Sequence, residues 1–248
     1  MLTASKPFGL IPLSSSQRRV AAASAFSLGL VKRELSGDLF LEMQELLRRY
    51  EIPMQKVPLE RIDRITRKNH QGVIAFTSAI TYQKLENIVP LLYEEGKIPF
   101  ILLLDGVTDV RNFGAIARTC EVAGVDAIVI PERGSVSVNA DAIKTSAGAL
   151  HSIPVCREKN LKEAILFLKN SGIKVVAATE KAASFYTETD LSLPVAIVMG
   201  SEDMGVAPEH LRICDELVRI PQSGTIQSLN VSVAAGVLIY EVVRQRRI

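Results

Sequence analysis

The chain has 248 residues, 48% of them apolar, with 29 Lys and Arg against 27 Asp and Glu and a mean hydropathy of +0.21. That balance argues against a disordered chain and leaves room for one large domain or two modest ones, while no uninterrupted apolar run approaches the roughly 18 to 20 residues of a membrane span. Residues 1 to 72 hold 12 Lys and Arg against 7 Asp and Glu, and the remainder 17 against 20; the basic leading part suits phosphate contacts, although ordinary solvated helix faces would give the same count.

In chain order, Met1 to Leu13 is broken by Pro and Gly, Ser14-Ser15-Ser16 reads as loop, and Arg19 to Leu30 reads as a short Ala-rich helix. Lys6-Pro7 and the pair Arg18-Arg19 make a poor signal-peptide layout, so a cytoplasmic protein is expected. From Asp38 to Tyr50 the apolar residues Leu39, Phe40, Met43, Leu46 and Leu47 fall at helical spacing. A strand over Ile52 to Val57 and a short helix over Pro58 to Arg67 follow. Asn69-His70-Gln71-Gly72 reads as a turn into the strand Val73 to Phe76; it could touch RNA or serve only as a turn. Thr81 to Gly96 reads as a helix with Leu85, Ile88, Val89, Leu92 and Tyr93 on one side.

Beyond Pro99 the pattern alternates. Pro99 to Leu104, Val125 to Ile130, Ile173 to Ala178 and the run opening at Val195 are strands of the fully buried kind, with helices near Ala140 to Ala149 and Leu161 to Asn170. Such alternation predicts an α/β fold with a mainly parallel sheet covered on both faces. Cys120, Cys156 and Cys214 are odd in number, with no Cys-x-x-Cys pair or neighbouring His, so free buried thiols and no metal site are expected. His70, His151 and His210 fall in no nucleophile–base pattern, and no Gly-x-Gly-x-x-Gly turn follows a strand.

Three stretches carry polar chemistry at strand ends. Asp105 to Cys120 runs from a strand through a polar turn into a helix, with Asn112 near the helix start and Arg118 six residues on. Val195 to Val206 ends a buried strand in an acidic loop, where Gly200 and Gly205 flank Glu202. Ile220 to Gly236 is a loop rich in hydrogen-bonding groups, Gln222, Ser223, Thr225, Gln227 and Ser228, that turns into an apolar helix opened by Asn230. A helix start after such a loop builds a ligand pocket, or is simply a capped helix after a solvated loop.

Taken together the three stretches resemble the motifs of the SpoU, or TrmH-type, family of RNA ribose methyltransferases. Asn112, Gly114 and Arg118 match its Asn-x-Gly-x-x-x-Arg; Gly200, Glu202 and Gly205 match Gly-x-Glu-x-x-Gly; Ser228, Leu229, Asn230, Val231 and Ser232 match Ser-Leu-Asn-Val-Ser before an apolar helix. The likeness covers residue 98 to the C-terminus and is strongest to members that methylate a guanosine 2′-oxygen in large-subunit ribosomal RNA.

The resemblance implies a mainly parallel α/β methyltransferase domain over residues 98–248 with a C-terminal trefoil knot. It implies a linker helix over 81–97 and a small α/β RNA-binding domain over 1–80, whose usual opening is not recognisable in the first 30 or so residues. It also implies a homodimer that uses S-adenosylmethionine and no metal. The cofactor pocket would include Gly200, Ile220 and Leu229, with Thr179 and Ala178 beside them. Arg118 would act at the 2′-oxygen, and Asn112, Glu202, Ser228 and Asn230 would orient it, the ribose and the loops, with a Glu202–Arg118 ion pair as the structural reading. Arginine is effectively always protonated, so stabilising an oxyanion and gripping a phosphate is the favoured role, with action as a base the competing one. Transfer RNA is the alternative substrate, and a non-catalytic RNA-binding protein the alternative class.

Overall fold

Phe26–Lys32 forms a strand, β1, where the Ala-rich composition had predicted a helix reaching Leu30. The computed structural model describes residues 26–49, 54–67, 69–77, 80–225 and 228–246, so the part of that expected helix before Phe26 lies outside the described residues. Pairing overrides propensity here. β1 is the middle strand of three, parallel to β2 (Met54–Val57) and antiparallel to β3 (Val73–Thr77), and Leu30 and Val31 are buried. A central strand gains hydrogen bonds on both edges, which an isolated turn of helix cannot match.

A parallel pair needs a crossover, supplied here by the helix α1 (Asp38–Arg49); the helix α2 (Leu59–Ile65) then leads toward β3. The core of this unit is Leu30, Val57 and Ile62, with Ile74 against them. Of the apolar residues at helical spacing on α1, Phe40 is buried, whereas Leu39 is 82% exposed. The turn before β3 engages both His70 ring nitrogens: Gly72 N donates to Nδ1 at 3.0 Å and Nε2 meets Asp63 Oδ1 at 2.9 Å. Gln71 and Gly72 both take positive φ there, and Gly72 O accepts from Lys32 N.

This first unit spans Met1–Ser78, and a second spans Ala79–Ile248. The second is built on a sheet of seven strands in the order β6-β5-β4-β9-β7-β10-β8, every adjacent pair parallel. Its long central strands are β4 (Phe100–Asp105), β9 (Val195–Gly200) and β7 (Lys174–Ala178). Outside them lie β5 (Ala127–Pro131), β6 (Val155–Glu158), β10 (Glu216–Arg219) and β8 (Ser184–Phe185). The short strands β6, β8 and β10 were not foreseen, being too brief and too polar at one face to read as buried runs.

Alternate residues of the strands feed two cores. Leu102, Leu104, Ile128 and Ile197 pack with Phe113, Ile116 and Cys120 of α4 (Val110–Ala123) and with Leu238, Ile239 and Val242 of α8 (Val231–Arg246). On the other face Ile101, Leu103, Val129 and Val198 meet Leu85 and Val89 of α3 (Leu85–Glu94) and Ile165 and Leu168 of α6 (Leu161–Asn170). Full burial of each such side chain stabilises by about 1.5–3 kcal/mol. The helix α3 thus packs on the sheet of the second unit. Gly114 lets α4 approach α5 (Ala140–Thr145): a Cβ there would lie 2.6 Å from Thr145 Cβ. Arg246 closes the end of α8 by donating to the carbonyls of Ile98, Pro99 and Leu193.

Candidate active site

In a parallel sheet all strands end at one edge, and ligands bind in the crevice beyond it. β4 and β9 run in register to their last residues, Asp105 opposite Gly200, so the first two polar loops start side by side. β7 and β10 end beside one another through Ala178 and Val218, with Thr179 N donating to Val218 O at 2.9 Å. The third polar loop leaves from the end of β10.

The helix α4 begins at Asp109, whose Oδ1 accepts from Asn112 N at 2.7 Å. This cap was missed, although Asp three residues before Asn is a capping pattern. It places Asn112 in the first turn with its side chain toward the second loop. That loop is a tight turn in which Gly205 has φ +67° and its N–H donates to Ser201 O at 2.9 Å. Gly200 has no room for a side chain: a Cβ would overlap the backbone of Gly205 and Val206.

Glu202 projects from this turn as a shared acceptor. Its Oε1 accepts from Asn112 Nδ2 at 3.0 Å, Asn230 Nδ2 at 2.6 Å and Val231 N at 3.3 Å. A carboxylate only accepts, so both amide groups must turn their Nδ2 toward it. Asn230 Nδ2 also donates to Asn112 Oδ1 at 3.0 Å, closing a triangle. Asn230 Oδ1 then takes the Ser232 N–H at 3.0 Å and the Ser232 hydroxyl at 2.5 Å, which caps α8. Three stretches far apart in sequence are joined through one carboxylate oxygen.

Beside this network lies a crevice of about 550 Å³. Ala178, Thr179, Gly200, Ile220 and Leu229 all line it, as do Glu202 and Ser228. Ser228 makes no hydrogen bond to another described residue, and Gln227 lies outside the described residues. Arg118 does not join the network, and the expected ion pair with Glu202 is absent among the described residues. Six residues carry it about 240° round α4 from Asn112, onto a different face. It is exposed there, with the exposed Arg111 seven residues earlier on the same side. Arg111 was overlooked, though its spacing from Arg118 would have found it.

His210, unassigned in the sequence reading, is 8% exposed, and its Nδ1 lies 2.7 Å from Asp105 Oδ2, which also accepts from Ala207 N at 2.8 Å. The pair ties the end of β4 to the short helix α7 (Pro208–Leu211) beyond the Glu202 turn. Among the described residues no group of three or more His, Cys, Asp or Glu could hold a metal ion, and no helix is long and apolar enough to cross a membrane. Burial pushes the Cys156 thiol up to about 12 and the half-buried Cys214 up to about 11.

Fold and site define a parallel α/β protein with a crevice at its strand ends, lined by the loops after β7, β9 and β10, beside three stretches held to one glutamate. The chain belongs to the SpoU rRNA Methylase family, whose model matches residues 99–240, and residues 28–83 match a model described as RNA 2'-O ribose methyltransferase substrate binding. It is 38% identical to the putative TrmH family tRNA/rRNA methyltransferase YacO of Bacillus subtilis, over 82% of this chain and 81% of that protein. Identity is 42% to the 23S rRNA (guanosine-2'-O-)-methyltransferase RlmB of Photorhabdus laumondii, over 71% of this chain and 72% of that one. An AdoMet-bound rRNA methyltransferase structure from Sinorhizobium meliloti is similar with a TM-score of 0.60 and 25% identity, covering 91% of this chain and 84% of the other.

Proposed function

We propose that the protein transfers a methyl group from S-adenosylmethionine to the 2′-hydroxyl of a guanosine in large-subunit ribosomal RNA. It is an S-adenosylmethionine-dependent RNA ribose 2′-O-methyltransferase. The observation that carries the reading is the Glu202 network, which binds the three motif loops together beside the crevice. The crevice falls within the roughly 300–1,000 Å³ of small-molecule sites. Its lining suits the cofactor: Gly200 leaves the strand end bare, and Ile220 and Leu229 offer an apolar floor with free backbone groups. When bound, S-adenosylmethionine supplies a methyl group on a sulfonium centre.

The protein's own part is to position the reacting hydroxyl and stabilise charge as its proton leaves. Arg118 takes that role, its planar fork holding a phosphate and the 2′-oxygen together. Asn112, Glu202 and Asn230 keep the loops in place, and Ser228 faces the ribose. Residues 1–80 serve as the RNA-binding domain, in keeping with their basic excess, 81–97 as the link and 98–248 as the catalytic domain. The C-terminal segment forms a trefoil knot, a reading supported by the placement of β9 between β4 and β7.

The enzyme works in the cytoplasm as a homodimer. Val122 of α4 and Val233 and Tyr240 of α8 are each at least half exposed, an apolar surface that a second copy would cover. Mapping 2′-O-methyl groups in total RNA with and without the gene tests the substrate. One guanosine in large-subunit ribosomal RNA should lose its methyl group. Loss in transfer RNA instead would redirect the substrate, in line with the tRNA/rRNA description of the Bacillus relative, and no loss anywhere would reject the function.

A further inference from the structure

A second crevice, of about 400 Å³, adjoins the first and shares Glu180, Ile220 and Gln222 with it. Resting on the methyltransferase reading above, we propose that this crevice receives the guanine base of the RNA substrate. Its remaining wall is built by the edge strand β8 and the end of β10, where Phe185 and Arg219 are register partners. The Arg219 guanidinium carbon stands 4.7 Å from the centroid of the Phe185 ring, so two flat groups form one stacking platform.

The platform's polar edge is incomplete. Arg219 Nε is shut off from solvent and has no hydrogen-bond partner among the described residues. A buried donor left unpaired is costly; Arg157 and Arg246, which also lie over aromatic rings, have the same unpaired Nε, and Arg219 differs from them in lining this crevice. A base that stacks on this pair can bring an acceptor to the outer N–H groups of the guanidinium. Guanine carries acceptors at O6 and N7 on one edge and N–H donors at N1 and N2 on another. Arg219 answers the first edge and the Glu180 carboxylate the second, with the Gln222 amide and Ser223 hydroxyl able to serve either. A phosphate does not fit this set, because Glu180 would repel it. A shared wall with the cofactor crevice puts a base here next to the ribose that must reach the methyl group.

The test uses the full-length protein saturated with S-adenosylmethionine and the probes guanosine and cytidine 5′-monophosphate, followed by calorimetry. Wild type should bind the guanosine nucleotide more tightly. Phe185→Leu and Arg219→Lys should each weaken it about tenfold, the scale of one stacked base, and raise KM for RNA while leaving cofactor affinity unchanged. Glu180→Gln should narrow the preference for guanosine over cytidine. Equal binding of the two nucleotides overturns the guanine assignment. An equal loss of cofactor affinity in Phe185→Leu would give the crevice to the cofactor, and unchanged nucleotide affinity and KM in both variants would reject the site. If wild type binds the guanosine nucleotide but methylates no RNA, the base site stands and the methyltransferase reading falls.

Discussion

Asn230 and Glu202 meet at 2.6 Å across 28 residues of chain, and the same Glu202 oxygen accepts from Asn112, 90 residues away. One carboxylate therefore holds the start of α8, the first turn of α4 and the turn after β9. Glu202→Ala should release all three donors at once. Because the side chain is exposed, water can partly replace it, and the expected loss of stability is only about 1 kcal/mol. Methyl transfer should fall at least tenfold, since loop position governs the reaction geometry. Thermal unfolding beside single-turnover kinetics separates the two. A proportionate loss of stability and activity would make Glu202 merely structural.

Gly200→Ala puts a methyl group where the backbone of Gly205 and Val206 lies. The turn must open, and S-adenosylmethionine affinity should drop below detection by calorimetry. Circular dichroism should show the helices retained, because β9 is held on both sides by β4 and β7. Wild-type cofactor affinity in this variant would mean the crevice lies elsewhere.

Arg118 stands apart from the Glu202 network, and its side chain makes no hydrogen bond or ion pair with another described residue. Arg118→Ala should leave cofactor binding and stability within about 0.5 kcal/mol of wild type, as for other exposed substitutions, while methyl transfer collapses. Arg118→Lys should restore little, since an ammonium lacks the planar fork. Near-normal methylation by Arg118→Ala would remove it from the active site.

The thiols offer a pH test. Desolvation holds Cys156 near 12 and Cys214 near 11, against an ordinary 9.0. Protons bind these groups more tightly in the folded chain than in the unfolded one. Their contribution to stability is therefore full below pH 9 and is lost as pH rises from 9 toward 12. Alkylation by iodoacetamide at pH 8 should be about a hundredfold slower for Cys214 than for a free thiol, and slower still for the fully buried Cys120 and Cys156. Mass spectrometry before and after unfolding measures this; rapid labelling of the native protein would show that Cys214 is not shielded.

Much of the second unit was readable because a strand buried on both faces is a continuous apolar run: Phe100 to Leu104 and Val195 to Met199 admit no other reading at that length. The helix α6 was predicted over its observed span, Leu161–Asn170, and the structure adds the Asn160 cap at its start. Three short motifs, in order, were enough to recognise the family. By contrast β1 was hidden, since Phe26–Lys32 gains its strand character from two partners that local composition does not show. The Glu202–Asn112–Asn230 triangle depends on β4 and β9 ending together, a register no spacing contains. Arg118 was expected among these groups, and the helical turn carried it to another face. Sequence by itself determined which residues are apolar, which turns demand glycine and which polar groups stand at strand ends, all consequences of local sterics and burial. Tertiary structure alone decided which of those ends lie together, because sheet order is set by packing between segments far apart in the chain.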